Sequence, residues 1–199
     1  VRAYRRRDPV YFCFCNMAQF KQYKLGFDRM FHIGEVDARD REVQEAAIDA
    51  QQAAIAAIRP GVLAEDVAEA ANEVYRERGF KTGYRTGRSI GVAYLEAPEL
   101  KAGDKTVLQP GMTFAVDGGI SVDGETAGRI GDSIVVTPQG AEYITDYPRT
   151  IPERGPGRPP AGRPARRRRR RLHRAARRRA SGRIHPALGG AAGMAGGPA

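Results

Sequence analysis

The chain has 199 residues, enough for one domain with a substantial core. Its formal net charge is +10, but residues 151–199 hold 14 of the 33 basic residues and only Glu153 of the 23 acidic ones, so residues 1–150 stand near −3 and the rest near +13. That split excludes a basic nucleic-acid-binding body, and no stretch approaches the roughly 20 consecutive apolar residues of a membrane-spanning helix.

The chain opens on Val1, with no signal peptide and in mid-pattern, which predicts a fragment whose N-terminal part is absent. "VYFCFC" (10–15) is aromatic and apolar and predicts a strand. Cys13 and Cys15 then share one face of it, since side chains alternate along a strand. A lone CxC pair makes neither a disulfide framework nor a zinc site, so the expectation is two reduced thiols in a cytoplasmic protein. "DRMFHIG" (28–34) ends a second strand.

Asp37 is placed to cap a helix, because its carboxylate can accept the unpaired amides of a first turn. Ala47, Ile48, Ala54, Ile55 and Ile58 recur at helical spacing, and Pro60-Gly61 stops the run. A second helix is predicted over 64–78, with Val67, Ala70, Ala71 and Val74 on one face and Gly79 ending it. Short strands follow at 88–94, 112–117, 128–137 and 142–145, and "TPQG" (137–140) reads as the turn joining the last two. Two helices followed by antiparallel strands predict an α+β layer fold over residues 1–150, with the helices packed on one face of a curved sheet.

Residues 151–199 form a second region, rich in Arg, Pro, Gly and Ala, with almost no large apolar residues. Such a segment cannot bury enough surface to offset its ordering entropy, and disorder is expected. It reads either as a polybasic arm for nucleic acid or as out-of-frame translation of GC-rich codons.

Four stretches, taken in order, carry a resemblance: "AIAAIRPGV", "YRTGRSIG…LEAPEL", "LQPGMTFAVDGGI" and "RIGDSIVVTPQGAEYIT". The chain resembles the catalytic domain of the pita-bread family of Xaa-Pro aminopeptidases, Xaa-Pro dipeptidases, methionine aminopeptidases and creatinase. In metal-dependent members of that family two Asp, one His and two Glu hold two divalent cations. Carried over position by position, the resemblance places Cys15 and Gly26 at the two Asp, Arg88 at the His, Asp117 at one Glu and Gly131 at the other. A further family His falls on Leu95. A slip in the match would restore Asp28 or Asp132, and side-chain alternation argues against it. A permanent guanidinium where a cation would sit implies that no metal or other cofactor is held.

The candidate site residues are therefore Arg88, Asp117, Cys15 and His32. Arg88 and Asp117 are expected to pair, either holding the cavity walls together or leaving Arg88 to bind a substrate carboxylate or polarise a carbonyl. Cys15 is a candidate thiolate nucleophile if Arg88 is near. His32 reads either as a partly buried strand histidine with one hydrogen bond or as a general acid–base. Tyr84, Tyr94 and Glu96 are candidates to line the pocket. The resemblance implies a hydrolase of a C–N bond acting on a peptide or small-molecule substrate, homodimeric in full-length form. The alternatives are an inactive module that binds a peptide or protein, and nucleic-acid binding through the tail.

Overall fold

In the computed structural model the described residues are 3–5, 8–18 and 21–151. The chain divides into two units, Val1–Arg158 and Pro159–Ala199. The expectations for the basic tail fall outside the described residues.

One antiparallel sheet organises the first unit. Its strands run in the order β1 (Pro9–Ala18), β2 (Lys24–His32), β6 (Thr126–Thr137), β5 (Thr113–Val122), β3 (Gly87–Ser89) and β4 (Glu96–Leu100), and β7 (Gly140–Tyr143) pairs with β6. Helices α1 (Ala38–Ala57) and α2 (Ala64–Glu77) stand between β2 and β3 in the chain. This is the expected α+β arrangement. None of the helices among the described residues is long and apolar enough to cross a membrane.

Local chemistry sets the helix ends. The Asp37 side chain accepts a 2.8 Å hydrogen bond from the Asp40 amide, as its position implies. α1 ends three residues before Pro60, whose ring cannot continue the amide ladder. α2 has no side-chain cap; the Ala64 and Glu65 amides donate instead to the carbonyls of Thr106 and Asp104. Gly79, at φ +74°, follows its end.

The sheet positions also correct the predicted strands. The 88–94 strand shrinks to three residues, and β4, which the sequence did not suggest, lies over "EAPEL". Pro98 argues against a strand in general, but β4 is an edge of the sheet, where a missing N–H breaks no ladder.

The core lies between the helices and one face of the sheet. Val43, Ala46, Ala47, Ala50 and Ala54 of α1 pack with Phe114, Val116, Ile134 and Val136. The small side chains bring the α1 backbone close to the strands, and two glycines complete the fit. A Cβ on Gly118 would lie well inside contact distance of the Ala47 carbonyl oxygen, and one on Gly128 would be 2.6 Å from that of Val43. Gly118→Ala is therefore expected to push the helix off the sheet and cost about 1–3 kcal/mol, as overpacking does. Urea unfolding reads this directly, and an unchanged midpoint would show that α1 is not seated as described.

Candidate functional site

The sheet face away from α1 carries the polar cluster. Register builds its centre: Asp28 of β2 stands opposite Gly131 of β6, and Gly131 stands opposite Asp117 of β5. Three neighbouring strands thus contribute carboxylate, glycine, carboxylate in one row. A Cβ on Gly131 would lie 2.8 Å from both Asp117 Oδ1 and Asp28 Oδ2, so these two oxygens can be no farther apart than twice that distance. The missing side chain makes the gap between them.

Two arginines brace the row. Arg88, only 5% exposed, donates from Nη1 to Asp117 Oδ2 at 2.5 Å, and its Nη2 donates to the Tyr94 hydroxyl. Its guanidinium also lies 4.4 Å from the centre of the Tyr94 ring. Arg129 donates to Asp28 Oδ2 at 3.3 Å and to Asp117 Oδ2 at 3.2 Å, and to the Tyr11 hydroxyl at 3.1 Å. Arg88 Nε is buried and has no hydrogen-bond partner among the described residues.

These surroundings tune the titrating groups. Burial pushes the Asp117 carboxyl above its ordinary value, with Arg88 and Arg129 pulling the other way. Burial likewise raises the hydroxyls of Tyr94 and Tyr11, the latter to about 12, against the pull of the neighbouring guanidiniums. Burial works against the Arg129 charge, but Asp117, Tyr11 and Asp28 outweigh it and hold the cation.

Among the candidates named from sequence, the structure brings Arg88, Asp117 and Tyr94 together. Glu96 turns back on its own loop, accepting from the Ala93 amide at 2.6 Å, with its carboxylate over Gly91. Tyr84 is 74% exposed and meets Lys101. His32 is buried at the end of β2, its Nε2 3.6 Å from Asp40 of α1, and neither ring nitrogen makes a hydrogen bond among the described residues.

Burial holds the His32 pKa below its ordinary 6.5, overcoming the Asp40 carboxylate. Above pH 6.5 the folded and unfolded states are both neutral at this residue. Below it the unfolded chain takes up a proton that the folded chain refuses, so stability falls on acidification. Melting temperatures measured between pH 7.5 and 5.5 should show that decline, and it should be shallower in His32→Leu. Parallel curves would remove His32 as its source.

The expectation for the cysteines is corrected. Cys13 and Cys15 are joined in a disulfide, with Cα atoms 5.4 Å apart, because the strand places both on one face within bridging reach. Cys15 is thus no free nucleophile here. Its side-chain neighbours are Cys13 and Asp28, whose Oδ1 is 3.5 Å from its sulfur.

Alternation shows which residues were missed. Asp28 is two residues from Gly26 and Arg129 two from Gly131, so each keeps the pocket-facing side of its strand. Asp132, one residue on, faces the other way and meets Gln51 of α1. The argument against a slip in the match holds for Asp132 and fails for Asp28.

Nor does this set of groups fit a pair of hard divalent cations. Arg88 lies against the carboxylate that would bind them, and Gly131 offers no ligand. A Cβ at Gly26 would be 3.0 Å from the Tyr94 hydroxyl, so that phenol fills the space a side chain at 26 would enter. Arg88 and Arg129 supply the positive charge instead.

The model of metallopeptidase family M24 matches residues 4–138. Over 139 residues the chain is 37% identical to agropine synthesis cyclase of Rhizobium rhizogenes, covering 68% of this chain and 35% of that protein. Over 131 residues it is 39% identical to the probable dipeptidase PepE of Mycobacterium tuberculosis, covering 65% and 35%. The solved dipeptidase of Pyrococcus horikoshii superposes with a TM-score of 0.71 at 32% identity, over 75% of this chain and 42% of that one. The chain thus spans about a third of the length of the curated relatives it matches. With its helix-backed antiparallel sheet and a family match across nearly all the described residues, the chain belongs to metallopeptidase family M24, whose solved members share the pita-bread fold.

Proposed function

We propose that the chain hydrolyses a C–N bond, in a peptide or a small amide or guanidino compound, without a bound metal ion. The observation that carries this reading is the Asp28–Gly131–Asp117 row, braced by Arg88 and Arg129. Both arginines take Oδ2 of Asp117, and Oδ1 faces the space above Gly131. A carboxylate whose pKa is raised by burial is a stronger proton acceptor than an ordinary one. In this scheme Asp117 takes a proton from the attacking water. The carbon gains the water oxygen, the C–N bond breaks, and the proton passes to the leaving nitrogen. The unpartnered Nε of Arg88 is the donor available to a substrate carbonyl or carboxylate. The relative named as a dipeptidase favours a peptide substrate.

Assay of the chelator-treated chain against Xaa-Pro dipeptides and small amides tests the proposal. Turnover should survive the chelator, and Asp117→Asn should lower kcat by about 10²–10⁴-fold, the usual contribution of a positioned acid–base group. Activity that appears only with added manganese or cobalt would overturn it. The direct Arg88–Asp117 pair, which engages Nη1 of one and Oδ2 of the other, favours one second reading, a module that binds peptide without turnover. Calorimetric binding of a dipeptide, with no hydrolysis of any substrate, would select it.

A further inference from the structure

At the end of the carboxylate row, and sharing its Asp28, lie two cysteines that the hydrolytic scheme does not use. Cys13, Cys15 and Asp28 bring two sulfurs and a carboxylate oxygen within 4.8 Å of one another. Cys13 is exposed, Cys15 is half-buried and Asp28 is buried, so the group runs from solvent to the edge of the site. Arg129 holds Oδ2 of Asp28, which leaves Oδ1 turned toward the Cys15 sulfur.

We propose that these three residues form a redox-gated site for one thiophilic divalent cation, such as Zn²⁺. In the disulfide state the site is closed. A dithiol reductant opens it: two electrons pass to the S–S bond, the reductant becomes a disulfide, and Cys13 and Cys15 become thiols. The cation then binds both sulfurs as thiolates, displacing two protons, and takes Asp28 Oδ1 as its third ligand.

Geometry supports this. With zinc–sulfur bonds near 2.3 Å and zinc–oxygen bonds near 2.1 Å, the sulfur–oxygen edge of a tetrahedral site is about 3.6 Å. The Cys15 sulfur and Asp28 Oδ1 already stand 3.5 Å apart. The sulfur–sulfur edge would be about 3.8 Å, which side-chain rotation on strand positions 5.4 Å apart can supply. Arg129 does for Asp28 what outer hydrogen bonds do for metal-ligating carboxylates generally: it fixes the orientation. The fourth position opens toward solvent on the Cys13 side.

Charge supports it as well. In the disulfide state Asp28 and Asp117 balance Arg88 and Arg129. Reduction to thiolates adds two negative charges, and one divalent cation restores the balance. Thiolates select zinc over the hard ions that carboxylates favour, so this site differs chemically from the family's carboxylate-rich dinuclear one. It shares Asp28 with the carboxylate row but enters no step of the hydrolytic scheme, and its test is binding rather than turnover.

The whole chain is reduced with a phosphine without oxygen and titrated with Zn²⁺ against a chromophoric chelator, then with Co²⁺ for its thiolate charge-transfer band in the near ultraviolet. The reduced chain should bind about one more equivalent of zinc than the oxidised chain and show the cobalt band. The double variant Cys13→Ser/Cys15→Ser should lose both. Asp28→Asn should keep the thiols but weaken zinc binding at least about tenfold, the low end of what losing even an outer partner of a ligand costs. Equal zinc uptake by the oxidised and reduced chains, or by the double-serine variant, would overturn the site. Unchanged affinity in Asp28→Asn would overturn the three-ligand arrangement. Circular dichroism of each variant separates loss of a ligand from loss of the fold.

Discussion

Asp117→Ala is expected to destabilise the chain by about 3–5 kcal/mol, and Arg88→Ala by less. Breaking a buried ion pair leaves an uncompensated charge out of water, and that desolvation dominates the loss. The two losses differ because the partners left behind differ. Without Asp117, the Arg88 guanidinium keeps only the Tyr94 phenol, and Arg129 loses one of its two carboxylates. Without Arg88, Asp117 still has Arg129 at 3.2 Å, and a carboxyl already raised by burial can take up a proton. Chemical denaturation of both single variants and of the double variant closes the cycle. The double change should cost less than the sum, by about 0.5–3 kcal/mol. Strict additivity would show that Arg88 and Asp117 are not coupled, and it would remove the basis for treating them as one site.

Asp132→Ala is expected to cost a similar amount, about 3–5 kcal/mol, for a different structural reason. Asp132 is fully buried on the helix side of β6, and both its oxygens are in use. Oδ1 accepts from Arg29 at 2.8 Å and Thr145 at 2.6 Å; Oδ2 accepts from Gln51 at 3.1 Å and Arg149 at 3.0 Å. One carboxylate thus ties β2, α1 and the segment after β7 to the middle of the sheet. Its loss strands the buried Arg29 without its carboxylate. Asp132→Asn should recover part of the loss, since the amide keeps one acceptor and the shape. A fall in thermal midpoint of less than a few degrees for Asp132→Ala would contradict the role. In the proposed hydrolysis kcat of any surviving fraction should be unchanged, which separates Asp132 from Asp117 on the opposite face.

How much of this was legible in the sequence depends on the range of the interaction. Asp37, the alanine-rich run before Pro60, and the "TPQG" turn act over a few residues, so each element's place was legible from local chemistry. The order of the motifs was enough to indicate the fold and the family, because their spacing reflects the whole domain. Strand alternation likewise contained the information that Asp28 shares a face with Gly26 and that Asp132 does not share one with Gly131. Only the tertiary structure decided which faces meet. The partnership of Asp28 and Asp117 exists because β2 and β5 flank β6 in a register that puts Gly131 between them. Arg129 became a site residue because that register sets it across both carboxylates. Tyr94 matters because its hydroxyl fills the space left open at Gly26, a relation between a loop and a strand that no local pattern encodes. The Cys13–Cys15 bond follows the same division: alternation put both sulfurs on one face, but that they bridge beside Asp28 is set by the pairing of β1 with β2.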